Sequence, residues 1–230
     1  MIEKIREKIR QHGLDVREFY YLLGVLFGDG FFTKFDTNGK PHEMRLNTTD
    51  KLFANEFERY IRALGGRYTR RIYSQSEKAL GRKPIHRVVV YSIRDIHTYE
   101  LYENIYVPLK GNPIMLIDLL DEQNKIIPFI KGYYESEGCF YIGGKKSIKW
   151  QIQFTSSDET LLIAVRELLR RLGFEFYLSK PYYTSKISNK PFWHLRMSGR
   201  IKSIDKALRF FKTIRPVIKN MNDVLVRKRR

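Results

Sequence analysis

Residues 22–30 read LLGVLFGDG, and residues 130–138 read IKGYYESEG. Each stretch has the make-up of a helix, and each ends in an acidic residue followed by glycine. A helix C-terminus carries partial negative charge, so its last turn favours cations. Asp29 and Glu137 stand where Lys is expected. One local rule broken twice in the same way points to function. Small residues also recur one turn apart: Gly24 and Gly28, then Gly132 and Ser136. Positions four apart share a helical face, and small side chains there let two backbones come close. Glycine inside a helix costs roughly 1 kcal/mol against alanine, so it needs a packing reason. These four positions predict two helices packed on each other. If the helices run in parallel, Asp29 and Glu137 lie side by side.

The chain repeats itself at a constant offset of 108 positions. Gly24 maps to Gly132, Asp29 to Glu137, Gly30 to Gly138 and Phe32 to Phe140. Asp50 maps to Asp158, Ile61 to Leu169, Leu64 to Leu172 and Gly65 to Gly173. Later echoes, such as Lys83-Pro84 with Lys190-Pro191, slip by a residue or two, as loops allow. A repeat of this length predicts two copies of one unit, expected at residues 1–110 and 111–230.

Each unit reads α-β-β-α-β-β-α, an α+β fold. Opening helices are expected near 15–28 and 115–136, with 106–120 as the connection. The first strand pairs are expected at 31–35 and 44–48, and at 139–142 and 148–155. Asp50 and Asp158 are N-cap candidates for helices that end at Gly65 and Gly173, suited to the left-handed C′ position. Further strands are expected near 67–73 and 86–92, and near 175–183 and 192–198. Closing helices are expected near 93–105 and 200–214. The run at 150–154, WQIQF, alternates as a half-buried strand does. Ile148, Trp150, Ile152 and Phe154 then point inward, and Lys149, Gln151, Gln153 and Thr155 outward. By the repeat, the outward residues of the first half are Pro41, Glu43, Arg45 and Asn47. The result is an antiparallel sheet in each half, backed by helices and open on its other face.

The 230 residues carry a net charge of +18 with 43% apolar residues. A folded chain this basic fits a polyanionic partner, nucleic acid above all. Cys139 is the only cysteine, which excludes a disulfide framework and a Cys-based zinc site within the chain. The five histidines show no ligand spacing and are expected as surface or sheet-face polar groups. No apolar run is long enough for a membrane span, and the stretch MIEKIREKIRQHG has no signal-peptide core. A soluble intracellular protein is expected, in the cytoplasm or nucleoid of a prokaryote or in an organelle of a eukaryote.

Two carboxylates held together repel, and divalent cations relieve that repulsion. A small set of oxygen ligands shared with phosphate suits Mg²⁺, and paired metals stabilise attacking and leaving oxygens in phosphodiester hydrolysis. An acidic pair beside basic, open sheets is therefore a nuclease layout.

The two stretches resemble the paired LAGLIDADG motifs of single-chain homing endonucleases. The repeat and the element order extend the resemblance over nearly the whole chain. Phe27 and Glu135 depart from the family word at its first acidic position, and Gly28 and Ser136 at its alanine, but both final acids are kept. The resemblance implies a pseudo-twofold monomer whose sheets sit as a saddle on the DNA major groove. It implies site-specific double-strand cleavage at a long asymmetric target, with two or three Mg²⁺ ions, or Mn²⁺ in their place. Metal binding falls to Asp29 and Glu137 with their neighbours Gly28 and Ser136. Asn47 and Thr155 are the expected polar groups around the attacking water. Lys110 and Lys219 are the basic candidates, with Lys145 or Lys146 as rivals. Expected DNA contacts are Lys34, Glu43, Arg45, Asn47, Arg71, Lys149, Gln151, Gln153 and Arg196. Two other functions fit the same scaffold: an intron maturase binding RNA, and a DNA-binding regulator that does not cut.

Overall fold

The computed structural model describes residues 1–73, 84–143, 149–182 and 191–217. Lys145, Lys146, Ile148 and Lys219 lie outside the described residues. Helix α1 (Ile2–Gln11) is an element that the charged N-terminus does not announce, and Ile5 and Ile9 are its buried stripe. The first repeat follows as α2 (Arg17–Phe27), β1 (Phe31–Phe35), β2 (Pro41–Thr48), α3 (Lys51–Ala63), β3 (Arg67–Tyr73) and β4 (Ile85–Ile93). It closes with β5 (Ile96–His97), then α4 (Thr98–Leu101), which runs through a π-type stretch at Tyr102–Tyr106 into α5 (Val107–Lys110). Helix α6 (Pro113–Leu119) leads to the second repeat: α7 (Gln123–Glu137), β6 (Gly138–Gly143), β7 (Lys149–Ser156), α8 (Glu159–Arg171), β8 (Tyr177–Leu178) and β9 (Trp193–Arg200). A 3₁₀ turn at Ile201–Ser203 and helix α9 (Asp205–Ile214) complete it.

Both sheets are antiparallel and share one topology. The first has the order β1-β2-β4-β3, with β5 added on β4, and the second has β6-β7-β9-β8. The inner faces carry Met44, Leu46, Val88 and Val90 in one half and Trp150, Ile152, Phe154 and Leu195 in the other, all fully buried. The N-caps form as expected. Asp50 accepts from the Leu52 and Phe53 amides, and Asp158 from the Leu161 amide. Gly65 and Gly173 take φ of +61° and +78° past the helix ends.

Three expected elements differ. The helix expected at 115–136 is two helices, broken at Leu120, Asp121 and Glu122. Leu119 and Leu120 are both buried. Helix α6 packs on α1, α5 and α8 while α7 packs on α2, and one straight rod cannot do both. Among the described residues, the strand expected at 175–183 pairs as a ladder only at Tyr177 and Leu178, with one further bridge from Tyr182 to Phe192. Pro181 has no amide to donate to the ladder. The helix expected from 93 starts at Thr98. Ile96 and His97 fold back on Ser92 and Ile93 through Arg94-Asp95, with Arg94 at φ +47°. A two-residue hairpin turn of this kind needs positive φ.

Candidate active site and nucleic-acid interface

Helices α2 and α7 pack side by side at the centre of the molecule, and the small residues explain how closely. A Cβ on Gly24 would lie 2.1 Å from the Phe129 carbonyl oxygen, and one on Gly132 would lie 2.2 Å from that of Tyr21. At the C-terminal ends, a Cβ on Gly28 would sit 2.3 Å from the Ser136 Cβ and 3.2 Å from the Glu137 Cγ. The partner positions rise together along both helices, so they run in parallel. The four small residues form the contact, and the two acids meet at its end. Each acid leads directly into the first strand of its sheet.

The acids sit in an unfavourable electrostatic setting. Protein crowds the Asp29 carboxyl although the residue remains open on one side, and this desolvation raises its pKa to about 6. Burial raises Glu137 to about 7, and the neighbouring Asp29 charge adds to the shift. Among the described residues, no cluster of three or more His, Cys, Asp or Glu forms a metal cage. Two poorly neutralised carboxylates are a donor set that fits a hard divalent cation, with water and phosphate oxygens completing its shell.

Register places the polar candidates beside the acids. Gly138 pairs with Phe154 and Phe31 with Arg45, so Thr155 and Asn47 fall within a step or two of the motif ends. Thr155 shares a hydrogen bond with His194 Nδ1 at 3.0 Å, and Asn47 accepts from Arg87 Nε at 3.1 Å. Lys110 ends α5 with its Nζ 5.3 Å from the Tyr106 ring centre. It lines a cavity of about 750 Å³ together with Gly28, Gly30, Phe31, Tyr106 and Asp158. This puts Lys110 beside the first motif. Ser136 Oγ donates to the Gly132 carbonyl within its own helix.

The outer sheet faces carry the expected polar residues in two different arrangements. In the first half, Arg45 donates to Glu43 through Nε and Nη2, and Lys34 Nζ lies 2.5 Å from the other Glu43 oxygen. Lys34 holds φ at +55°, where an L-residue is uncommon. Glu43 is only 4% exposed. It is not the open, base-facing group that the alternation predicts, because two cations cover it. Arg71 pairs across from Arg87, and Arg87 stacks on Tyr73. In the second half, Gln151 donates to Gln153, Gln153 donates to Thr155, and Arg196 Nε donates to Gln153 Oε1. Lys149 is exposed at the strand's start.

Sequence reasoning missed Arg87 and His194. The repeat echo at Lys83-Pro84 and Lys190-Pro191 fixes β4 against β9 and could have found both. His86 is buried rather than superficial, because Arg70 Nη2 lies 2.8 Å from its Nδ1. The reading also missed a buried network beside the helix pair. Tyr21 donates to Glu135 at 2.6 Å, and Lys131 pairs with Glu56 and lies 3.9 Å from Glu135. Glu135 also accepts from the Val217 amide. These residues look unrelated in the linear sequence.

Residues 124–215 match the LAGLIDADG-like domain family. The fold of the chain is the LAGLIDADG fold. The homing endonuclease I-DmoI in complex with DNA and Mn superposes with a TM-score of 0.52 at 17% identity, covering 86% of this chain and 96% of that one. Full-length DUF199/WhiA from Thermatoga maritima superposes at 0.56 and 13% identity, covering 94% of this chain and 62% of that one. An uncharacterized protein of Methanocaldococcus jannaschii is 27% identical over 157 residues, which is 68% of this chain. The chain spans about half the length of that curated relative, 54%. Among the described residues, no helix of the chain is long and apolar enough to cross a membrane.

Proposed function

We propose that the chain is a site-specific, divalent-metal-dependent DNA endonuclease that acts as a monomer on one asymmetric duplex. The observation that carries this reading is the acidic pair. Asp29 and Glu137 meet at the end of the α2–α7 contact, both with raised pKa, where the two sheets begin. A structural protein gains nothing from two crowded carboxylates at two helix C-termini.

Asp29 and Glu137 would hold Mg²⁺, with Mn²⁺ as a substitute, and the neighbouring Gly28 and Ser136 are the further candidates for its shell. When bound, the cation supplies charge stabilisation at the transferring phosphate and acidifies water. The chain's own residues do the rest. The basic sheet faces hold the duplex and fix its register. Lys110 brings positive charge beside the first motif. Asn47 and Thr155 orient a water near each acid, themselves steadied by Arg87 and His194. Lys219 is the second-half candidate for the role of Lys110.

The test uses Asp29→Asn and Glu137→Gln in the full chain. Nicking and linearisation of a target plasmid in Mg²⁺ should be nearly abolished for at least one strand in each variant. Binding to the same duplex in Ca²⁺ should persist, because it rests on the sheets. Full cleavage by both variants would end the assignment. Tight binding of the parent to structured RNA, with no cleavage of any DNA, would favour the maturase.

A further inference from the structure

The two outer faces hold their polar side chains in ways that leave some hydrogen-bonding groups free and use others up. Arg45 spends Nε and one side of Nη2 on Glu43 Oε2, at 2.8 and 2.5 Å. Its Nη1 and the outer Nη2 hydrogen remain, a two-pronged donor that matches O6 and N7 of guanine. Glu43 keeps no such freedom. One oxygen faces Arg45, the other faces Lys34. Buried and doubly paired, it cannot accept from a cytosine.

The second half divides the same labour differently. Gln153 accepts from both Arg196 Nε and Gln151 Nε2 at 2.8 Å, and donates to Thr155 at 3.0 Å. Its carbonyl oxygen is used twice, so the one N–H it keeps has no free acceptor beside it for a two-point contact with adenine. Arg196 is left with its whole terminal fork. Gln151 is left with its carbonyl oxygen and one N–H, the acceptor–donor pair that matches N6 and N7 of adenine.

We infer that Arg45 and Arg196 read guanines and Gln151 reads an adenine, while Glu43 and Gln153 touch no base and act as positioning residues. This rests on the DNA reading proposed above and deepens it to the composition of the two half-sites. The register adds a consequence. Arg45 stands on β2 opposite Val89, whereas Arg196 stands on β9 opposite Gln153, the repeat counterpart of Arg45. The guanine reader is therefore one strand over in the second half. Strands are about 4.8 Å apart, so the two guanines fall at unequal distances from the centre of the target, by about one or two base pairs.

The experiment is selection of bound duplexes from a randomised library by the full chain in Ca²⁺, followed by sequencing. The parent should enrich one asymmetric site with a guanine in each half. Arg45→Ala and Arg45→Lys should both lose discrimination at one guanine, by about 5- to 150-fold. The lysine variant keeps the charge but not the fork. Glu43→Gln should lose preference at that same position while its affinity for random duplex holds or rises, since a negative charge is gone. A merely structural Glu43 would not move one base preference selectively. Gln153→Ala should relax two positions, those of Arg196 and Gln151. The inference is overturned if Glu43→Gln leaves the Arg45 position intact, or if Arg45→Ala relaxes a position that is not guanine. No enrichment of any duplex by the parent would overturn the endonuclease reading itself and this inference with it.

Discussion

The two flanks of the α2–α7 helix pair are related by the repeat and built from opposite chemistry. On one flank, Tyr21 donates to Glu135, stacks on Tyr60 with ring centres 3.8 Å apart, and lies under the Lys131 ammonium. Lys131 in turn pairs with Glu56, which also holds Arg59. By the offset of 108, the counterparts of Tyr21, Glu135, Lys131, Glu56 and Tyr60 are Phe129, Phe27, Leu23, Ala164 and Leu168. All five are buried and apolar. Where Tyr21 hydrogen-bonds Glu135, Phe129 meets Phe27 edge-on at 5.9 Å. The backbone is repeated, then, while its interior is not. A dry flank accepts any apolar neighbour of the right volume. On the polar flank the buried carboxylates need neighbours that pair with them, and the Val217 amide on Glu135 is one of them. This ties Val217, three residues past the end of α9, to one side of the helix pair.

The largest test of that contrast is Lys131→Met. It removes the cation between Glu56 and Glu135, and the Glu135 side chain is only 1% exposed. Breaking one partner of a buried ionic group costs about 3–5 kcal/mol, because the other charge is left uncompensated. Arg59 still serves Glu56, so the lower end is expected. Urea unfolding in chelator measures it. A loss below about 1 kcal/mol would show that the network contributes little.

The counterpart on the dry flank is Leu23→Ala. Its expected loss is about 2–4 kcal/mol, set by transfer and by the cavity left in a close-packed contact. Additivity is expected when the two changes are combined, since they lie on opposite flanks. A strong coupling between them would mean that the helix pair adjusts as one unit and that the two flanks are not independent.

What the sequence made legible follows the same division. The apolar and small-residue patterns are periodic, so they gave the helix pair, both sheets and the N-caps at Asp50 and Asp158. The repeat then gave the meeting of Asp29 and Glu137. Features made by long-range pairing left no local trace. Glu43 reads as an alternating outward residue, and only the approach of Lys34 and Arg45 buries it. Glu135 reads as a departure in a motif word, and only the neighbours Tyr21, Lys131 and Val217 give it a place. The break between α6 and α7 is set by what each helix packs against, and apolar periodicity runs straight through it.

A smaller change probes the polar flank alone. Tyr21→Phe deletes one hydroxyl and leaves the stack on Tyr60 in place. A hydrogen bond to a charged group contributes about 1.5–3 kcal/mol, and the low end is expected because burial already raises Glu135 to about 7. The loss should shrink as pH falls and Glu135 takes up a proton. A pH-independent loss would show that the Tyr21 hydroxyl acts through packing.

The smallest effect concerns the acids that break the local rule at the ends of the two helices, and its sign is fixed by linkage. Asp29 is raised to about 6 and Glu137 to about 7, mainly by burial. As pH rises through the ordinary carboxylate range, the unfolded chain releases these protons first. The folded chain holds them until pH 6–7, so metal-free stability declines across roughly pH 4 to 7 and is level above that. Solvent on the open side of the site limits the loss to under about 1 kcal/mol per acid. Other groups titrate in the same range. His86 and His194, both lowered by burial, act with the opposite sign. The quantity to measure is therefore the difference between the melting curves of the parent and of Asp29→Asn/Glu137→Gln in chelator. The double variant should gain on the parent as pH rises from 4 to 7. Millimolar Mg²⁺ at pH 7.5 should then raise the parent alone, since a ligand bound only by the folded state stabilises it by mass action. Parallel curves in chelator, or equal stabilisation of both chains by Mg²⁺, would end the proposed metal-binding role of the acids and return them to the role of ordinary turn residues.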